Sequence, residues 1–159
     1  MLRAKLLALS WPVLVAWGQP DEPACQRFHR VDALSGGIAE VAGSNRLLAA
    51  FLWVAARNES QNFRRDVAEC ACPPGECDNG QAHGYWQIHR APTESIDQWW
   101  AYCGTSIESA TAGARRVKLF FDSRNLECSF ARMGGNRAKC DDQWAKDRAE
   151  ETRRIMGYL

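Results

Sequence analysis

Apolar positions recur along this chain at spacings that predict helices with one polar interruption. Val31, Leu34, Ile38 and Val41 stand three or four residues apart, a helical spacing with Gly36-Gly37 in its middle. Residues 46–59 are Ala- and Leu-rich and apolar on nearly every face from Leu47 to Ala56, behind Ser44 or Asn45 as a cap. A helix apolar all round is a buried one, so this segment predicts the centre of the core. Thr93 can cap a short helix through Cys103, with Ile96, Trp99 and Trp100 inward and Gly104 as its stop. Thr105 or Ser106 precedes Ile107, Ala110, Ala114, Val117 and Phe121, a clean amphipathic repeat. Leu126, Phe130 and Met133 outline a further helix. Trp144 to Met156 is mixed in charge and reads as a surface helix. Residues 62–82 turn polar, with Pro73-Pro74-Gly75 and Asp78-Asn79-Gly80, which is loop or hairpin chemistry. The expected fold class is mainly α, with at most a small β-hairpin around residues 66–88.

The amino terminus changes the picture of compartment. Arg3 and Lys5 precede an apolar run from Leu6 to Trp17, with Ala16 and Gly18 small at the positions a signal peptidase reads. Residues 1–18 are therefore expected to be a cleaved signal peptide. The run is short and contains Pro12, so no stable membrane span is expected. Residues 19–43 are expected to pack as an N-terminal segment on a domain of residues 44–159.

The length of 159 residues suits one domain. With 20 Lys and Arg against 19 acids the net charge is +1, and residues 19–159 alone carry −1. Neither value supports a strong basic field for nucleic acid, and no nucleic-acid partner is expected. All seven cysteines follow the leader: Cys25, Cys70, Cys72, Cys77, Cys103, Cys128 and Cys140. In an oxidising compartment they read as disulfides. Cys128 and Cys140 bracket a short polar segment and are the easiest pair. Cys70 and Cys72 are too close to bond each other and take different partners among Cys77, Cys103 and Cys25. One thiol is left over. Cys25 lacks the apolar residues upstream that a lipid anchor needs.

Candidate chemistry centres on Glu59. It ends the buried helix, where the helix dipole repels an anion and apolar surroundings favour the protonated acid. Those are the conditions of a general acid. Pairing with Arg57, Arg64 or Arg65 is the plainer alternative. Downstream, His83-Gly84-Tyr85-Trp86-Gln87-Ile88-His89 places one amide among aromatic residues, a composition that suits sugar rings with their apolar faces and hydroxyl edges.

Together these segments resemble a known family. Glu59-Ser60 at the end of an apolar helix, followed by Gly84-Tyr85-Trp86-Gln87-Ile88, is similar to the paired motifs of lysozyme-like soluble lytic transglycosylases and goose-type lysozymes. Cys128-Ser129-Phe130-Ala131-Arg132-Met133-Gly134-Gly135-Asn136 resembles their later Ala-x-Tyr-Asn-x-Gly motif. The resemblance implies a lysozyme-like α+β fold, to which the expected disulfides add staples. It also implies cleavage of the β-1,4 bond between N-acetylmuramic acid and N-acetylglucosamine in peptidoglycan. Glu59 takes the place of the general acid and base. Ser60, Gly84, Tyr85, Trp86, Gln87 and Met133 fall on substrate-binding positions. In a transglycosylase the muramyl 6-hydroxyl attacks C1, and in a lysozyme water does.

The chain departs from the pattern in two places. Asn62 precedes Phe63, the reverse of the family's order, and Met133 and Gly134 stand where a Tyr and an Asn are expected. A thioether donates no hydrogen bond to Glu59, which leaves Tyr85 or Tyr102 to supply a hydroxyl. Asp66, Glu69, Glu76 and Asp78 are candidates to hold an attacking water. Rival chemistries are a zinc site of Cys70, Cys72, Cys77 and His83, which export disfavours, and a Cys-His nucleophilic pair using His83 or His89. Trp99-Trp100 is expected to pack under its short helix rather than form a sugar platform. The expectation is a secreted or periplasmic monomer that needs no metal or cofactor and acts on peptidoglycan strands. The alternative is an inactive relative that binds glycan or a partner protein.

Overall fold

The computed structural model describes residues 1–17, 22–134 and 138–159. Its longer helices are α1 (Leu2–Trp17), α2 (Ala24–Ala42), α3 (Arg46–Glu59), α7 (Ile107–Lys118), α8 (Leu126–Met133) and α9 (Gln143–Tyr158). Between α3 and α7 lie the short turns α4 (Arg65–Ala68) and α5 (Cys77–Gly80), the strands β1 (Ala82–His83) and β2 (Ile88–His89), and the short helix α6 (Ile96–Trp100). The strands are antiparallel, pairing Ala82 with His89 and His83 with Ile88. The fold is mainly α with one small hairpin, and the hairpin is confined to residues 82–89. Proline, glycine and the cysteine turns occupy the rest of the polar stretch.

Helix α3 runs through the core, packed by α2, α7 and α9. Leu48 to Ala56 are all buried, as an all-round apolar helix requires. The Asn45 side chain accepts a hydrogen bond from the Leu48 amide at 2.9 Å and so caps it. Phe51 meets Phe121 and Phe130 at ring distances of 5.4 and 4.9 Å, which fastens α3 to the end of α7 and to α8. Helix α2 lies close along α7. At Gly37 an added Cβ would sit 2.7 Å from both the Ala110 Cβ and the Thr111 backbone nitrogen. The Gly36-Gly37 pair therefore serves close helix approach rather than interruption.

Ser95, not Thr93, caps α6. It forms a reciprocal capping box with Gln98, and the helix ends at Trp100, short of Cys103. Trp99 packs as expected, stacked on His83 at 3.6 Å with its Nε1 donating to the Ile88 carbonyl at 2.9 Å. Trp100 does not, for it is 52% exposed.

Three disulfides staple the loops: Cys70–Cys103, Cys72–Cys77 and Cys128–Cys140. Cys25 is the leftover thiol and is exposed. His83 lies near the sulfurs of Cys70 and Cys103, but these are bonded to each other, and Cys72 and Cys77 form their own bridge. The four-ligand zinc site is thereby replaced by disulfides.

Residues 2–17 form a helix seated on α2. Leu6 and Ser10 are fully buried, and Ser10 Oγ accepts a hydrogen bond from Trp53 Nε1 at 2.8 Å. Arg3 pairs with Asp32 at 2.5 Å. Gly18, where cleavage is expected, lies outside the described residues, as do Gly135 and Asn136 of the third motif. No helix among the described residues is long and apolar enough to cross a membrane.

Candidate active-site cleft

Immediately after Glu59 the backbone enters a left-handed turn, with Gln61, Asn62 and Phe63 at φ of 51°, 67° and 64°. Three such residues in a row are strained unless their surroundings fix them. Here Phe63 is buried against Trp53 at 5.6 Å, and its amide donates to Ser60 Oγ at 3.0 Å. Its carbonyl accepts from Arg30, a buried guanidinium paired with Glu22 at 2.7 Å. The turn leaves Glu59 and Gln61 on the wall of a cleft of about 480 Å³.

The same cleft is lined by Cys77 and Asp78 from α5, by Ala82, Gln87 and His89 from the hairpin, and by Met133 and Gly134 at the end of α8. Segments far apart in sequence thus meet around Glu59. Gln61, Cys77, Asp78 and Gln87 all have positive φ. Four of the eight non-glycine residues with positive φ among the described residues therefore lie on this wall. Gln87 is held in its turn by its own side chain, whose Nε2 donates to the Gly84 carbonyl at 3.1 Å.

Glu59 is half-buried, and Oε1 accepts a hydrogen bond from Arg148 Nη1 at 2.5 Å. Arg148 rises from α9, and its guanidinium carbon lies 4.9 Å from the centroid of the Trp144 ring one turn earlier. Of the two environments expected for Glu59, apolar surroundings or pairing with a nearby arginine, the structure shows an ion pair. Its partner is none of the three local arginines. Arg57 pairs with Glu151 at 2.6 Å, Arg64 with Asp66 and Glu76, and Arg65 with Glu69 at 3.1 Å.

Those pairings also sort the acidic candidates. Burial pushes the Asp66 carboxyl up, but the Arg64 guanidinium and backbone N–H groups outweigh it and hold Asp66 below the usual range. Glu69 and Glu76 are bound to arginines. Asp78 is the candidate that reaches the Glu59 cleft, where it meets His89 Nε2 at 2.9 Å.

Several expected substrate contacts lie elsewhere. Ser60 is fully buried, donates to the Ala56 carbonyl at 2.6 Å and caps the turn rather than facing the cleft. Gly84 is buried at φ 69°, where a Cβ would strike the Tyr102 carbonyl, so its role is conformational. Tyr85 is a core residue. Burial pushes its hydroxyl up to about 12, with the Arg30 guanidinium beside it pulling the other way. Trp86 is buried, with Nε1 donating to the Leu52 carbonyl at 2.9 Å. Trp86 nonetheless contributes to the wall of the cleft adjoining that of Glu59. Tyr102 donates its hydroxyl to Glu94, and burial together with that bond pushes it up to about 12. Neither tyrosine lines the Glu59 cleft; the hydrogen bond to Glu59 comes from Arg148. Comparison with protein-family models, with curated proteins and with solved structures finds no match, so this cleft is read from its own chemistry.

Proposed function

We propose that this protein is an exported peptidoglycan-cleaving glycosidase of the lysozyme-like, lytic transglycosylase type, with Glu59 as general acid and base. One observation carries the reading. Glu59, Gln87 and Met133-Gly134, one residue or pair from each of the three motifs, line a single cleft. Glu59 protonates the glycosidic oxygen between N-acetylmuramic acid and N-acetylglucosamine as the C1–O bond breaks. The resulting carboxylate then takes a proton from the nucleophile that closes on C1. If that nucleophile is the muramyl 6-hydroxyl, the product is a 1,6-anhydro end. If it is water, the product is a reducing end.

Asp78 favours the second outcome, since a carboxylate in the same cleft can hold a water or face the positive charge developing at C1. Arg148 stands in for the missing tyrosine as the group that orients Glu59. The three disulfides fit the export that the leader implies. The inactive, glycan-binding alternative draws on the same ion pair, in which Arg148 engages Glu59 Oε1. Digestion of purified peptidoglycan by the wild type and Glu59→Gln, with products weighed by mass spectrometry, decides between them. Anhydro or reducing ends made by the wild type alone support catalysis, and identical digests sink it.

A further inference from the structure

The Glu59 cleft continues into two neighbours. It shares Gln87, His89 and Met133 with a second cleft of about 320 Å³, whose walls include Trp86, Phe120 and Arg90. The second shares Ala91 and Arg116 with a third of about 720 Å³, walled by Glu94, Tyr102 and Arg115. The three clefts adjoin in a row, with Glu59 lining the first of them.

Arg116 stands where the second and third clefts join. Its guanidinium carbon lies 5.4 Å from the ring centroid of Phe120, which follows the end of α7 and lines the second cleft. Other arginines around these clefts are committed: Arg115 to Glu40 at 2.8 Å, and Arg148 to Glu59. Arg116 has no ion pair among the described residues. Nor does Arg90 on the second cleft, whose Nε donates to the Glu94 carbonyl at 2.9 Å. Glu94, the acid that lines the third cleft, has each carboxylate oxygen engaged already, one by the Tyr102 hydroxyl and one by the Ala91 amide at 3.2 Å. Two guanidinium groups without counter-charges thus line clefts with an aromatic wall.

We infer that Arg116, assisted by Arg90, is a binding station for a carboxylate carried on the glycan, and that it selects acidic strands over neutral ones. This rests on reading the Glu59 cleft as a glycan site. In peptidoglycan the carboxylate comes from the stem peptide, or from the muramyl lactyl group where the peptide has been removed. A guanidinium binds either through charge-assisted hydrogen bonds.

Full-length Glu59→Gln protein, with and without Arg116→Gln, is titrated calorimetrically with three probes: soluble peptidoglycan strands, strands stripped of peptide so that the lactyl carboxylate is freed, and chitohexaose. Arg116→Gln is expected to weaken binding of the intact strands about 10-fold or more and to leave chitohexaose within about two-fold, with Arg116→Lys recovering part of the loss. Arg116 dependence on intact strands assigns a stem-peptide carboxylate, because the lactyl carboxyl is amide-linked there, and dependence retained on stripped strands shows that the station also takes the freed lactyl carboxylate. Equal weakening for strands and chitohexaose, no weakening, or no strand binding overturns the station. Arg90→Gln, on a more exposed side chain, repeats the test should Arg116→Gln fail to fold. Wild-type strand cleavage together with strand binding that does not depend on Arg116 overturns this inference alone. Arg116-dependent binding without any wild-type cleavage overturns the proposed activity alone.

Discussion

Adding one methyl group at Gly37 tests the packing that underlies the whole fold. A Cβ there would lie 2.7 Å from the Ala110 Cβ and 2.7 Å from the Thr111 nitrogen, whereas ordinary contact begins at 3.4 Å. The shortfall of about 0.7 Å is against α7's backbone and its Ala110 stub, and neither can rotate away. Helices α2 and α7 must therefore separate. At Gly36 an added Cβ meets chiefly the far end of the Ile107 side chain, at 2.6 Å from Cδ1, and that side chain can turn. Both glycines lie inside α2, so replacement by Ala gives each the same helix-propensity gain of about 1 kcal/mol. The comparison thus isolates overpacking, which costs about 1–3 kcal/mol. Gly37→Ala is expected to be about 2 kcal/mol less stable than Gly36→Ala, or ~4–8 °C in Tm for a chain of this size. Urea unfolding followed by far-UV circular dichroism, with equal m-values, measures the difference. Gly37→Ala as stable as Gly36→Ala would refute the close α2–α7 approach.

Three further expectations concern single side chains. Arg148→Met removes the ion pair to Glu59 but keeps an apolar stem against Trp144. Both charged side chains are about a quarter exposed, so stability should fall by no more than about 1 kcal/mol while glycan cleavage drops about tenfold or more; unchanged cleavage would deny Arg148 its orienting role. Burial holds the His83 imidazole below its usual 6.5, so the unfolded chain takes up a proton that the folded chain refuses until lower pH. Stability therefore decreases as pH falls from about 7 to 5, and His83→Phe, which retains the stack on Trp99, should flatten that part of a Tm–pH profile. Leu6→Ala, in protein retaining residues 1–18, should cost about 2–5 kcal/mol; an unchanged Tm would mean that α1 does not rest on α2 in solution.

Local signals reached far into this fold. The all-round apolar run from Leu47 to Ala56 becomes the central helix, the spacing from Ile107 to Val117 becomes α7, and Cys128 and Cys140 form their bridge. Each depends on side chains within a few turns of one another. Ser95 with Gln98 was also readable, as a Ser-x-x-Gln capping box, though the threonine two residues earlier drew the boundary. At the site, Glu59, Gln87 and Met133 emerge from motif order, but the group that holds Glu59 does not. Arg148 is 89 positions away in a helix of alternating charge, and nothing in that pattern separates it from its solvated neighbours. Ser60 and Tyr85 show the converse. Motif position marked them for substrate, but a left-handed turn and a buried Arg30–Glu22 pair draw them into the core. Which of four acids faces Glu59 likewise depends on long-range placement, because the turn at Cys77–Gly80 must first be brought beside the hairpin.

The most direct test of the central claim is mass analysis of peptidoglycan digested by wild type and Glu59→Gln at equal concentration. The expected result is new muropeptides, with either anhydromuramyl or reducing ends, from the wild type and a loss of at least about 100-fold in their rate of formation for the variant. The same fragments at the same rate from both proteins would contradict Glu59 as the proton-transferring residue.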